Sequence, residues 1–140
     1  MLMIRKLLVL MLVLMLALTA CGSDEGDDND SVVFETITVQ TAYDQFNETE
    51  GAYFVDVREA NEWAATGYPP GATLIPLGEI AQRAPDELPE DAPIFVICNS
   101  GNRSLVASQQ LRDMGYREIY NVDGGIQAWL QAGLPVEAYP

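Results

Sequence analysis

The segment "CNSGNRS", residues 98–104, places a thiol, a glycine, an arginine and a serine within one short stretch. The reactive form of a cysteine is its thiolate, which forms near neutral pH only where donors or cations stabilise it. Three features could do so here. Cys98 closes the apolar run "APIFVIC" (92–98) and precedes "SLVASQQLRDM" (104–114), whose spacing is helical. Unpaired N–H groups and the positive end of a helix dipole would then face the sulfur. Gly101 can adopt the positive φ that a tight loop needs if successive amides are to point inward at one anion. Arg103 adds a permanent charge. Cysteines so placed have pKa values of about 3.5 to 7.5. The alternative is a buried, inert cysteine packed as a small hydrophobe, and both readings are open at this point.

The elements that must position this thiol alternate strand and helix. "FETITV" (34–39), "AYFVDV" (52–57), "ATLIPL" (72–77), "APIFVIC" and "REIYNV" (117–122) have strand character. Helices are expected at "TAYDQF" with Thr41 as cap, at "REANEWAAT" from Arg58 to a stop at Gly67, and over one or two turns at "GEIAQRA" before Pro85. Two more follow at 104–114 and "GIQAWLQA" (125–132). The run 92–98 is apolar on both faces, as a central parallel strand requires. The pattern predicts one α/β sandwich with a parallel sheet of about five strands, in which ligand sites lie beyond the carboxyl ends of strands. Cys98 sits at such an end. Ser104, Ala107, Ser108, Leu111 and Met114 form one stripe of the helix after it, and the small residues at its start let that helix lie close to the sheet. Trp63, Trp129, Tyr116 and Tyr120 are expected to be packing residues.

The N-terminus has a different character. Arg5 and Lys6 precede the apolar run "LLVLMLVLMLALTA" (7–20), the layout of a signal peptide. Leu18-Thr19-Ala20-Cys21 resembles the lipobox of bacterial lipoproteins, in which the cysteine sulfur takes a diacylglyceryl group and becomes the first mature residue. That resemblance implies a removed signal peptide (1–20), a tether (21–31) lipidated at Cys21 and holding the protein outside the cytoplasm on a bacterial membrane, and a folded domain at 32–140. The stretch "GSDEGDDNDS" (22–31) has no apolar residue to bury, and its like charges extend the chain. Residues 32–140 hold five arginines and sixteen acidic residues, a net charge of −11 with no histidine. Such a surface repels nucleic acid. With Cys21 lipidated, Cys98 has no intrachain disulfide partner, and one cysteine without histidine indicates no metal site.

"CNSGNRS" resembles the active-site signature of the rhodanese family, Cys-x-x-Gly-x-Arg-Ser, at Cys98, Gly101, Arg103 and Ser104. "DVREANEW" (56–63), "PPGATLIPL" (69–77), "YREIYNVDGGIQAW" (116–129) and "GLPV" (133–136) are similar to the family's other blocks, in its order. The resemblance implies a rhodanese-like three-layer sandwich that performs sulfur transfer without a cofactor. Cys98 would be the nucleophile. The loop Asn99, Ser100, Gly101, Asn102 and Arg103 would bind the anionic sulfur through backbone amides and the guanidinium, Ser104 would orient the loop or thiolate, and Asp56 and Arg58 would hold neighbouring loops. Partners would be a small sulfur donor such as thiosulfate or a persulfide, a thiol or cyanide acceptor, and a protein persulfide as a further donor. A non-catalytic sulfane-sulfur carrier or partner-binding module is the alternative. Four residues separate Cys98 from Arg103, against five in phosphatases of related fold, so the cradle suits one sulfur atom better than a phosphate. Two departures from the family stand out. Tyr68-Pro69 replaces the usual His-Ile, and Asn99 stands where many members carry a basic residue.

Overall fold

The computed structural model describes residues 31–140. The expected signal peptide (1–20), Cys21 and all but the last residue of the expected tether lie outside the described residues. Five strands, β1 (Val33–Ile37), β2 (Tyr53–Asp56), β3 (Thr73–Leu74), β4 (Ile94–Ile97) and β5 (Glu118–Val122), make one sheet in the order β1-β5-β4-β2-β3. Every pairing is parallel. The helices are α1 (Val39–Glu48), α2 (Ala60–Thr66), α3 (Ile80–Glu87), α4 (Asn102–Asp113) and α5 (Gly125–Gln131).

Parallel strands need crossover helices, which cover both faces of the sheet and leave the central strand buried along its length. All four residues of β4 are buried. Alternation divides them. Ile94 and Val96 face a largely aliphatic layer with Ile80 and Ala84 of α3 and Ala107 and Leu111 of α4. Phe95 and Ile97 face an aromatic layer with Phe54, Val39 and Ala42 of α1, and Ile126 and Trp129 of α5. There Phe54 stacks on Phe95, and Trp129 meets Phe54 edge-on. Trp63, Trp129 and Tyr116 are buried as expected, and Tyr120 is half-buried and stacked on Phe95.

Several boundaries differ from expectation, and three of the differences have a local physical cause. The cap of α1 is Thr38, whose Oγ accepts from the Thr41 amide at 3.2 Å, so the helix starts at Val39 and Thr41 lies inside it. β3 keeps two residues of the expected six, because Pro76 turns the chain into a 3₁₀ turn at Leu77–Glu79. Pro85 lies inside α3 instead of ending it. So near the C-terminal end it removes one helical hydrogen bond, while Ile80, Ala84 and Leu88 keep their apolar face in the core. At Tyr68, where the sequence departs from the rhodanese pattern, the backbone exchanges two hydrogen bonds with Glu137 (3.0 and 2.8 Å) and ties the C-terminal segment to the loop after α2.

Candidate active site

Residue 98 follows β4 by one position, and period-two alternation turns its side chain to the same face as Ile94 and Val96, toward α4. The thiol is 1% exposed. Ser104, Ala107 and Ser108 line the near side of α4, all of them buried, so the helix lies close against the sheet with its first turn beside the sulfur. The chain reaches α4 through Gly101, whose φ of 103° is open to glycine at little cost. This turn aims the Gly101 amide at Sγ of Cys98, 3.1 Å away. Ser104 Oγ accepts from the Cys98 thiol at 3.4 Å and donates to the Gly101 carbonyl at 3.0 Å; once the thiol ionises, the same hydroxyl can turn its one proton to the sulfur.

Burial opposes ionisation of Cys98 and is the largest single influence on it. The Ser104 side chain and the amides of Ser104, Ser100 and Gly101 act the other way, and together they hold the thiol below its ordinary range. The site is therefore an anion cradle made mainly of backbone, around one buried sulfur. Of the loop residues expected to bind anionic sulfur, Ser100, Gly101 and Ser104 stand with their amides against Cys98. Asn99 turns its carbonyl outward, and Asn102 is an exposed residue opening α4.

The outward carbonyls have partners that sequence reasoning missed. The first amides of α5 receive them, Ile126 N–H donating to the Cys98 oxygen at 2.8 Å and Gln127 N–H to the Asn99 oxygen at 3.3 Å. Each peptide unit whose C=O is pinned outward presents its N–H to the other side. The contact is possible because residue 125 is glycine. A Cβ there would lie 2.5 Å from the Asn99 carbonyl carbon and 2.6 Å from its oxygen, and closer still to the Cys98 oxygen. The pair Gly124-Gly125 is the turn before a helix that the sequence indicates, and it is also the support of the thiol loop.

Arg103 does not direct its hydrogen bonds at the sulfur. Its two terminal nitrogens meet Glu62 of α2, Nη1 to Oε2 at 2.8 Å and Nη2 to Oε1 at 2.6 Å. The hydrogen bonds from Glu62 and then its charge raise the pKa of Arg103, and the charge of Cys98 adds to them. Arg103 therefore acts on the sulfur through its field. Glu62 is the second residue missed in the sequence. Its carboxyl is pulled down to about 2, first by the Arg103 hydrogen bond, against the opposing effect of burial. Oε2 also accepts from the Glu59 amide at 3.1 Å, half of a reciprocal capping box that fixes the rotamer. The pattern Glu-x-x-Glu at a helix start was the available signal.

Asp56 and Arg58 form a buried ion pair after β2. Nε and Nη2 of Arg58 contact the Asp56 carboxylate at 2.7–3.1 Å. Nη1 and Nη2 go on to Thr66 Oγ1 and the Gly67 carbonyl, both at 2.8 Å, which fastens the far end of α2 to β2. Among the described residues no group of three or more His, Cys, Asp or Glu is placed to hold a metal ion.

The rhodanese-like domain family matches residues 38–132. The chain is 33% identical over 108 residues to YrkF of Bacillus subtilis, named as a proposed sulfur carrier protein, covering 77% of this chain and 57% of YrkF. It therefore spans little more than half of that relative's length. It is 38% identical over 91 residues to a sulfurtransferase of Allochromatium vinosum, covering 65% of this chain and 83% of that protein. The crystal structure of a rhodanese-related protein from Thermoplasma volcanium superposes with a TM-score of 0.66 at 31% identity, over 75% of this chain and 99% of the other. The α/β sandwich that puts Cys98 beyond the end of β4 is thus shared along that protein's full length, and the chain belongs to the rhodanese-like domain family.

Proposed function

We propose that this domain is a sulfurtransferase that moves sulfane sulfur from a donor to a thiophilic acceptor through a persulfide on Cys98. The observation that supports it best is the convergence of the Ser100, Gly101 and Ser104 amides on a sulfur that burial alone would keep protonated. The Cys98 thiolate attacks the outer sulfur of thiosulfate or of a persulfide. The donor's S–S bond breaks, and sulfite or a thiolate leaves with the bonding pair. An acceptor thiol or cyanide then attacks the terminal sulfur, and the bonding pair returns to Cys98 as thiolate. One difficult transfer becomes two easier ones, with anionic sulfur stabilised by fixed dipoles in each.

Similarity to YrkF favours a second reading, a carrier that holds sulfane sulfur for a partner without appreciable turnover. The intact mass of the full chain in mild detergent, before and after thiosulfate and separately an alkyl persulfide, tests the first. A gain of one sulfur atom that Cys98→Ser lacks and cyanide removes is expected. No gain from either donor in folded, reduced protein overturns the proposal. Loading without multiple turnovers on cyanide or a thiol would favour the carrier.

The same proposal puts the domain outside the cytoplasm of a bacterium, on a membrane, through lipid on Cys21. Two or more acyl chains suffice for stable attachment where one does not. Incorporation of labelled fatty acid that Cys21→Ala abolishes is expected, and an unlabelled protein overturns it.

A further inference from the structure

We infer that Glu62, by pairing with Arg103, sets the donor preference of the site, admitting the outer sulfur of a thiol persulfide and disfavouring small dianionic donors such as thiosulfate. The inference rests on the persulfide chemistry proposed above and deepens it. Arg103 and Glu62 stand at the rim of the site, their side chains 35% and 27% exposed, on the helices that follow the adjacent strands β4 and β2. The contact is fork to fork, so both terminal nitrogens of the guanidinium are occupied. Glu62 is itself fixed, since its Oε2 also takes the Glu59 amide.

The charge balance at the rim follows. Arg103 is matched by Glu62, and the Glu59 carboxylate also lies within its field. The neighbouring Arg58 is matched by Asp56 in the interior. Asn99, Ser100 and Asn102 add no cation, and residues 32–140 carry −11 overall. A dianion must approach against that field and finds the one guanidinium of the loop already engaged. An alkyl persulfide brings one negative charge or none, and its outer sulfur needs only the backbone amides around Cys98. In each case the thiolate takes the outer sulfur, the S–S bond breaks, and sulfite or an alkyl thiolate leaves with the pair. The donors differ in the charge carried through the mouth, not in the bond made.

Glu62→Gln is the variant that tests this. The amide oxygen can still accept from Arg103 and from the Glu59 N–H, while the negative charge is gone. Loading of Cys98 would be followed by intact mass on the full chain, with thiosulfate and with an alkyl persulfide bearing no other charged group. Wild type is expected to load faster from the persulfide. The variant is expected to gain about fivefold or more in the thiosulfate rate and to change less than about twofold with the persulfide. Thiosulfate loading of wild type should also rise with added salt, which screens like charges, and that measurement needs no variant. Equal shifts with both donors, a wild-type preference for thiosulfate, or thiosulfate loading that falls with salt would each overturn the inference and leave the persulfide chemistry standing. Failure of folded wild type to load from either donor would overturn both.

Discussion

The loops after β2 and β4 lie side by side and are held in opposite ways. After β2, shape is fixed by side-chain charge, with Asp56 and Arg58 0% and 1% exposed and every Arg58 nitrogen bonded to protein. After β4, shape is fixed by backbone: inward amides surround one sulfur and outward carbonyls are received by α5. A buried pair tolerates no loose end, since removing either partner strands a charge in the interior. An amide cradle has no ionisable wall, so its one titrating member is the thiol it serves. The stiff, charged loop supports; the loop built of peptide dipoles is left free for chemistry. Arg103 and Glu62, one from the helix after each strand, join the two at the rim.

Breaking the first loop should have the largest effect. Arg58→Ala leaves the Asp56 carboxylate buried without its cation and frees Thr66 and Gly67, and a loss of about 3–5 kcal/mol in urea unfolding is expected. Arg58→Lys should recover only part of it, because an ammonium cannot reach the carboxylate, Thr66 and Gly67 together. Full stability in Arg58→Ala would mean that the β2 loop does not depend on its charges. Gly125→Ala comes next and attacks the second loop from behind. Overpacking of this kind costs about 1–3 kcal/mol, and φ here is +56°. Because the strain falls on the Cys98 and Asn99 carbonyls, sulfur loading should drop by more than the loss of folded protein explains. Unchanged loading would show that the amides keep their aim without α5.

Much of this contrast was legible in the sequence, and the exceptions have a common cause. The run 92–98, apolar on both faces, indicated the central strand, and the small residues on the α4 stripe indicated close approach to the sheet. Both signals are local. Glu62 was missed because its partner is forty-one positions away, and the contact exists only once β2 and β4 pair. The support role of Gly125 was hidden for the same reason, since the atoms its missing Cβ would meet belong to residues 98 and 99. The short β3 and the early start of α1 turned on Pro76 and Thr38, where a proline-directed turn and a side-chain cap overrode a continuous apolar pattern.

Ser104→Ala sharpens the view of the thiol loop with a smaller effect. It removes the hydroxyl's two hydrogen bonds, to the Cys98 sulfur and the Gly101 carbonyl, each of a kind worth about 0.5–1.5 kcal/mol, and leaves the backbone of the helix start intact. The Ser104 side chain is the largest of the influences that favour the thiolate, and burial is the one that opposes it. The pH midpoint of Cys98 alkylation by iodoacetamide should therefore move up, toward the ordinary thiol range. A midpoint that stays put would mean the peptide amides hold the anion without the hydroxyl.

Glu62 gives the smallest stability effect and the clearest sign. Its folded pKa of about 2 lies below the unfolded value of 4.5, so the pair contributes fully above 4.5 and the contribution is lost as pH falls toward about 2. Arg103 stays charged throughout, so the loss belongs to the carboxylate. Solvent reaches both side chains, and pairs of that exposure contribute about 0.2–1 kcal/mol, far less than the sealed Asp56–Arg58 pair. The gap between wild type and Glu62→Gln in urea unfolding should be small at neutral pH and close as pH falls through that window. The comparison cancels the carboxylates common to both proteins. A gap as large as that of Arg58→Ala would mean the rim pair is a structural element like its buried neighbour, and the division between a supporting loop and a working one would have to be redrawn.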